Sequence, residues 1–229
     1  AARANLLMIP LKDDNPTSDR PLVTLIFIGA CVLAFLWQMS LGPESGQVAI
    51  YALGFIPAVL FGAAELPEQL VWVPASATIF TSMFLHGGLL HLGGNMLYLW
   101  VFADNVEDSM GHGRFFAFYL LCGVVAALAQ AAPSTDSTVP MIGASGAVSG
   151  VLGAYALLYP HARVLVAIPL FVVLYTLRLP AMFVLGIWFA GQLLSSLAAP
   201  GVGGGVAFRA HVGGFVAGLL LIRFFSRKK

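Results

Sequence analysis

Apolar residues fall along this chain in long, nearly unbroken runs, not in the mixed pattern of a helix or strand that keeps one face in water. A bilayer crossing takes about 20 residues of apolar helix, fewer where other protein surrounds it. Six runs meet this: 22–41, 91–106, 115–132, 145–159, 180–198 and 211–225. The fourth is short and rich in small residues, which suits a helix shielded from lipid. A further apolar stretch, 164–177, is short and bounded by Arg163 and Arg178, and predicts an interfacial segment in preference to a seventh span. The pattern therefore predicts an all-α polytopic membrane protein, a six-transmembrane-helix bundle with a long outer loop between the first two spans.

Composition agrees. Charged residues make up 9% of the chain and apolar ones 59%, whereas a soluble domain carries roughly 25% charged residues. A net charge of +1 gives no basis for nucleic-acid binding. Basic residues collect on the cytoplasmic side of membrane proteins. With six spans and the N-terminus inside, that side receives Arg3, Lys12, Arg20, Arg114, Arg163, Arg178, Arg223, Arg227, Lys228 and Lys229, and only Arg209 falls outside. A seventh span would spoil the asymmetry. The chain divides into a cytoplasmic N-terminal segment (1–21), a six-span domain (22–225) and a basic cytoplasmic tail (226–229). Residues 1–20 are polar and precede a full-length span, unlike a cleavable signal peptide. Cys31 and Cys122 fall mid-span and are expected to be packing thiols.

Three connections then lie on the outer side. The first, 42–90, is broken by Gly54, Pro57, Pro67 and Pro74; its apolar positions (Ile50, Leu53, Phe55, Ile56, Val59, Leu60, Phe61) predict an interfacial helix or hairpin partly sunk in the outer leaflet. The other two, 133–142 and 200–210, lead into Ser145 and His211. A nucleophile and a base are thus expected at matching depth near the outer face. Gly146, Ser149, Gly150 and Gly153 give the helix after Ser145 a stripe almost without side chains. Gly214 and Gly218 do the same on the face of His211. Such stripes let membrane helices approach backbone to backbone, which would bring Ser145 and His211 together. Ser149 is a rival nucleophile one turn deeper, but a serine inside a helix commonly bonds the carbonyl four residues back. Ser145 is preferred because its amide lies at a helix N-terminus and can stabilise an oxyanion.

A second polar cluster, His86, His91 and Asn95, enters the second span from the same side. His91 and Asn95 are four apart and share a helix face, where both can donate to an oxygen carrying developing charge. His86 is better placed to brace the preceding loop. Two histidines without a third ligand do not make a catalytic zinc site, and no metal or cofactor is expected. A two-aspartate protease lacks its second carboxylate, since Asp104 stands alone within a span. A transporter would show an internal repeat or paired broken helices, and neither is visible.

Taken together, the chain resembles the rhomboid family of intramembrane serine proteases over about 22–225. The resemblance rests on Gly143-Ala144-Ser145-Gly146, on the spacing of His86, His91 and Asn95, on His211 followed by Gly214 and Gly218, and on Glu107 closing the second span. It implies Ser145 as nucleophile and His211 as general base in a dyad without an acid. It implies an oxyanion hole of His91, Asn95 and the Ser145 amide, with His86, Gly143, Gly146, Gly214 and Gly218 in support and Glu107 structural. The implied substrates are single-pass membrane proteins cut near the outer face of a membrane, for which the plasma membrane of a prokaryote is expected. A catalytically inactive relative that binds membrane proteins is the alternative. Many rhomboids carry Trp-Arg in the long loop; here those positions are Ala77 and Thr78. Glycine-rich 201–205 is expected to form a lid, with Val206 or Phe208 as its plug. Trp188, Phe189 and Gln192 are expected to line a lateral gate on the fifth span.

Overall fold

A computed structural model describes residues 8–170, 173–198 and 207–227. The apolar runs form helices: α1 (Leu22–Ser40), then α2 (Gly42–Leu53), α3 (Pro57–Leu60) and α4 (Thr78–Thr81) in the long connection. These are followed by α5 (Leu89–Met110), α6 (His112–Ala131), α7 (Ser145–Leu158), α8 (Ala181–Ala198) and α9 (Phe208–Phe225). Among the described residues, α1, α6, α8 and α9 are each long and apolar enough to cross a membrane. α5 passes the same test only when joined to residues 68–84, which meet it at a bend of 82°, the geometry of a broken span or a re-entrant loop. At 14 residues α7 is about 21 Å long, short of the hydrocarbon thickness, and Gly146 to Tyr155 are buried without a break. It packs against α5, α6, α8 and α9, so its backbone is wrapped in protein, where a short helix is tolerated.

The all-α expectation is corrected by a three-stranded antiparallel sheet in the order β1 (Ile9–Asp13), β2 (Arg163–Leu170), β3 (Val173–Pro180). The stretch expected to lie as an interfacial segment is its central hairpin. Val164, Val166 and Ile168 are β-branched and face inward, and Pro169 would break a helix. β1 comes from the N-terminal segment and pairs with β2 from Ile9–Ala167 to Asp13–Val164. Its Pro10 is tolerated because an edge strand does not need every amide. The Tyr155 hydroxyl of α7 donates to the Asp13 carboxylate, tying this strand to the buried helix. Burial pushes the Asp13 carboxyl above its ordinary range, against the lowering effect of the Tyr155 bond.

The same end of the bundle is fastened by Glu107, at the end of α5. Its carboxylate accepts from the amides of Val23 and Thr24 (2.8 Å each) and the Thr24 hydroxyl (2.6 Å), supplying partners to the N-terminal turn of α1. It also meets His112 Nδ1 of α6 at 2.6 Å. Gly111, at φ +81°, makes the turn from α5 to α6, and the Arg227 guanidinium packs onto its bare Cα. The Arg227 amide bonds the Ser109 carbonyl at 2.9 Å.

At the other end, the long connection packs on protein as well as presenting apolar surface. Phe55 and Ile56 are buried, and Phe55 packs on Ala127 and Ala131 of α6, whereas Phe61 is exposed. Phe55 and Met141 exchange backbone hydrogen bonds, Ala58 donates to Ser137, and Thr81 Oγ1 donates to the Leu53 carbonyl. The loop that lacks Trp-Arg at Ala77 and Thr78 is therefore braced through the segment that leads into α7.

Glu107→Ala removes four hydrogen-bonding contacts to a buried carboxylate, three from α1 and one from His112, and bonds to charged groups contribute about 1.5–3 kcal/mol each. The expected loss is at least about 3 kcal/mol, read as a lowered melting temperature in detergent. Glu107→Gln should lose less. An unchanged melting temperature for Glu107→Ala would rule out this clamp.

Candidate active site

α7 and α9 touch backbone to backbone. A Cβ on Gly214 would collide with the Gly146 carbonyl, one on Gly218 with the Gly150 carbonyl, and one on Gly153 with the Phe215 carbonyl. At Gly150 the space is filled from α6 by Cys122. Interlocking glycines thus fix the depth of α9 against α7. Ser145 is the first residue of α7 and His211 the fourth of α9, which begins three residues before the expected start of its span. Both helices present these residues at the end opposite Glu107. Gln130 of α6 accepts from the Ala210 amide at 3.1 Å, capping the open first turn of α9.

The polar residues of α5 close in from the other side. Gly143, at φ +125°, has its bare Cα against the His91 ring. A Cβ there would lie 2.7 Å from His91 Cε1, 2.8 Å from Nε2 and 3.8 Å from Ser145 Oγ. The serine hydroxyl and the ring edge of His91 therefore border one small space that only glycine leaves open. The Gly87 amide donates to His91 Nδ1 at 3.4 Å, so the neutral ring carries its proton on Nε2, the nitrogen facing that space. Asn95 is 6% exposed, and its amide nitrogen has no partner among the described residues. A buried donor left unpaired calls for an explanation, and an oxyanion arriving with substrate is one.

His86 is buried and holds the turn before α5. Its Nδ1 donates to the Phe84 carbonyl at 3.2 Å, and its backbone is gripped by Gln38 of α1, whose Oε1 accepts from the His86 amide at 3.0 Å. Its ring stands 5.2 Å from that of His91, centroid to centroid. Ser149 is buried, and its hydroxyl donates to the Ser145 carbonyl at 2.6 Å, the helix-internal bond expected of a packing serine.

No hydrogen bond joins Ser145 to His211 among the described residues. The His211 Nδ1 instead meets Gln192 Oε1 of α8 at 2.7 Å. Trp188, one turn earlier on α8, lies 6.0 Å from the histidine ring, and Phe208 meets that ring edge-on at 6.5 Å. Phe208, expected as a plug, is the first residue of α9; the glycine-rich 201–205 and Val206 lie outside the described residues. Trp188 and Phe189 pack on Phe215 of α9, the latter stacked at 4.5 Å. Among the described residues no three His, Cys, Asp or Glu side chains are grouped as a metal site. The glutamines at 38 and 130 escaped the sequence-based expectations, and Gln192 was assigned to a gate. The signal available was a lone amide in an apolar run, which in a membrane usually marks a partner.

The fold and site define an integral membrane protein, a helical bundle with serine, histidine and amide groups gathered where its buried helix opens. The Rhomboid domain model matches residues 74–228, and the chain belongs to the rhomboid family. It is 31% identical over 198 residues to "Rhomboid protein 1, mitochondrial" of Saccharomyces cerevisiae, an alignment covering 78% of this chain and 53% of that protein. It is 31% identical over 166 residues to "Rhomboid protease GluP" of Bacillus subtilis, covering 69% of this chain and 30% of that one. A shorter match, 32% over 105 residues, covers 43% of this chain and 28% of "Presenilin-associated rhomboid-like protein, mitochondrial" of Bos taurus. The chain thus spans about half the length of the yeast relative and less than a third of the other two.

Gly218→Ala drives a methyl into the α7 backbone, where overpacking costs about 1–3 kcal/mol or more. The expected outcome is a lower melting temperature, whereas Gly186→Ala on α8, with no atom within 4 Å of the new methyl, stays near the wild type. Equal melting temperatures for the two variants would refute the backbone contact.

Proposed function

We propose that this chain is an intramembrane serine endopeptidase that cleaves single-pass membrane proteins near the outer face, with Ser145 as nucleophile and His211 as general base. The observation that carries this is the glycine interlock of α7 and α9. It holds Ser145 and His211 at one end of the bundle, beside the Asn95 amide of α5, a buried donor without a partner among the described residues. His211 Nε2 takes the hydroxyl proton as Ser145 Oγ adds to the scissile carbonyl. His91 Nε2–H, the Asn95 amide and the Ser145 N–H receive the oxyanion. Collapse breaks the C–N bond, and the imidazolium returns the proton to the leaving amine. Water then hydrolyses the acyl-serine by the same steps in reverse order of partners. No cofactor enters the sequence of events.

The proposed unit is 22–225, with six spans that count both α7 and α5, flanked by the 1–21 segment and the 226–229 tail on the basic side of the membrane. The plasma membrane of a prokaryote remains the proposed location. Two of the relatives above carry mitochondrial names and one is bacterial; by its charge asymmetry the basic face belongs inside in either setting. Substrate is proposed to enter past α8, the least buried of the spanning helices, between Trp188 and Phe189 and the rest of the bundle.

The test is cleavage of a single-span reporter in liposomes. Wild type should cleave, and Ser145→Ala and His211→Ala should not. Asn95→Ala should fall by about 10²–10³ in kcat, the usual effect of losing one oxyanion donor. Cleavage by Ser145→Ala would remove it as nucleophile, and absence of cleavage by any form would favour a binding-only relative. Small residues at Trp188 and Phe189 should raise cleavage of helical substrates, and unchanged rates would count against a gate there.

A further inference from the structure

We infer that Gln192 is a positioning residue for His211, a neutral third member of the proposed dyad rather than part of the gate; this rests on the function proposed above. An amide in the middle of an apolar membrane helix is costly unless paired. Here its Oε1 stands 2.7 Å from His211 Nδ1. A carbonyl oxygen only accepts, so the ring proton sits on Nδ1 and Nε2 is left as the base. An acidic residue does this work in a Ser-His-Asp triad.

The groups around His211 come from every neighbouring helix. His91 of α5 is a titratable group at the same end of the bundle. Ser145 of α7 is proposed to share its proton, Gln130 of α6 holds the adjoining amide of Ala210, and Trp188 and Gln192 of α8 flank the ring. Trp188 and Gln192 are four apart, so a single helix face limits the ring's tilt and fixes its tautomer. Among the described residues no hydrogen bond holds the Ser145 hydroxyl, which can turn to meet Nε2.

The experiment measures labelling of Ser145 by a small water-soluble fluorophosphonate, together with kcat and KM for a reporter, in purified full-length protein. Gln192→Leu should slow labelling and lower kcat by about 10²-fold, the cost of a misplaced catalytic group, with KM little changed. Gln192→Glu keeps the acceptor and should restore most of the rate at high pH. Its carboxylate favours the imidazolium, so the acid limb of its pH–rate profile should move to higher pH. A gate residue would instead leave labelling by a small probe unchanged while altering cleavage of helical substrates. Wild-type labelling that persists undiminished in Gln192→Leu overturns the role of Gln192, as does a Gln192→Glu profile identical to the wild type. Failure of the wild type itself to label overturns the proposed function and this role with it.

Discussion

Everything at the Ser145 end depends on α7 and α9 touching through their backbones. Lipid tails are as apolar as leucine, so no hydrophobic force presses membrane helices together, and close van der Waals packing must do it. Gly214 on Gly146, Gly218 on Gly150 and Phe215 on Gly153 supply that packing at three levels. Their register sets the height of His211 beside Ser145, and a shift by one turn would carry it about 5.4 Å along the helix. The same contact is why α7 can be short: α5, α6, α8 and α9 surround it, so its ends open inside protein instead of in lipid.

The two ends of the bundle hold different polar groups. Toward Glu107, several polar groups are paired, namely the α1 amides and His112 on Glu107, the Asp13 carboxylate on Tyr155 and the Arg227 amide on Ser109, while Asn105 Oδ1 is buried without a partner among the described residues. Toward Ser145, the Asn95 amide nitrogen is a buried donor without a partner among the described residues. Unpaired buried polar groups cost stability, and sites that act on a substrate commonly carry that cost while the scaffold elsewhere offsets it. Three glutamines, at 38, 130 and 192, restrain the Ser145 end without filling it. Gln38 holds the backbone amide of His86 in the turn before α5, Gln130 holds the amide next to His211, and Gln192 holds the His211 ring nitrogen.

The sequence by itself determined the helical runs, the family, and which end of which helix carries Ser145, His211, His91 and Asn95, because apolar length and glycine spacing are local properties. It missed the sheet. The stretch 164–177 is apolar enough for a membrane surface, and it is strand because its two halves pair with each other and β2 also pairs with β1, more than 150 residues away in the chain. It placed Gly143 in a motif without giving the reason, which is that the His91 ring occupies the space a side chain would take. Gln192 looked like a neighbour of Trp188 and Phe189 on one helix face. Its bond to His211 depends on how α8 is rotated against α9, a relation between two helices that no spacing within either one records. What tertiary structure decided throughout was the partner of each isolated polar residue: in an apolar helix the sequence shows that one must exist, and packing alone selects which.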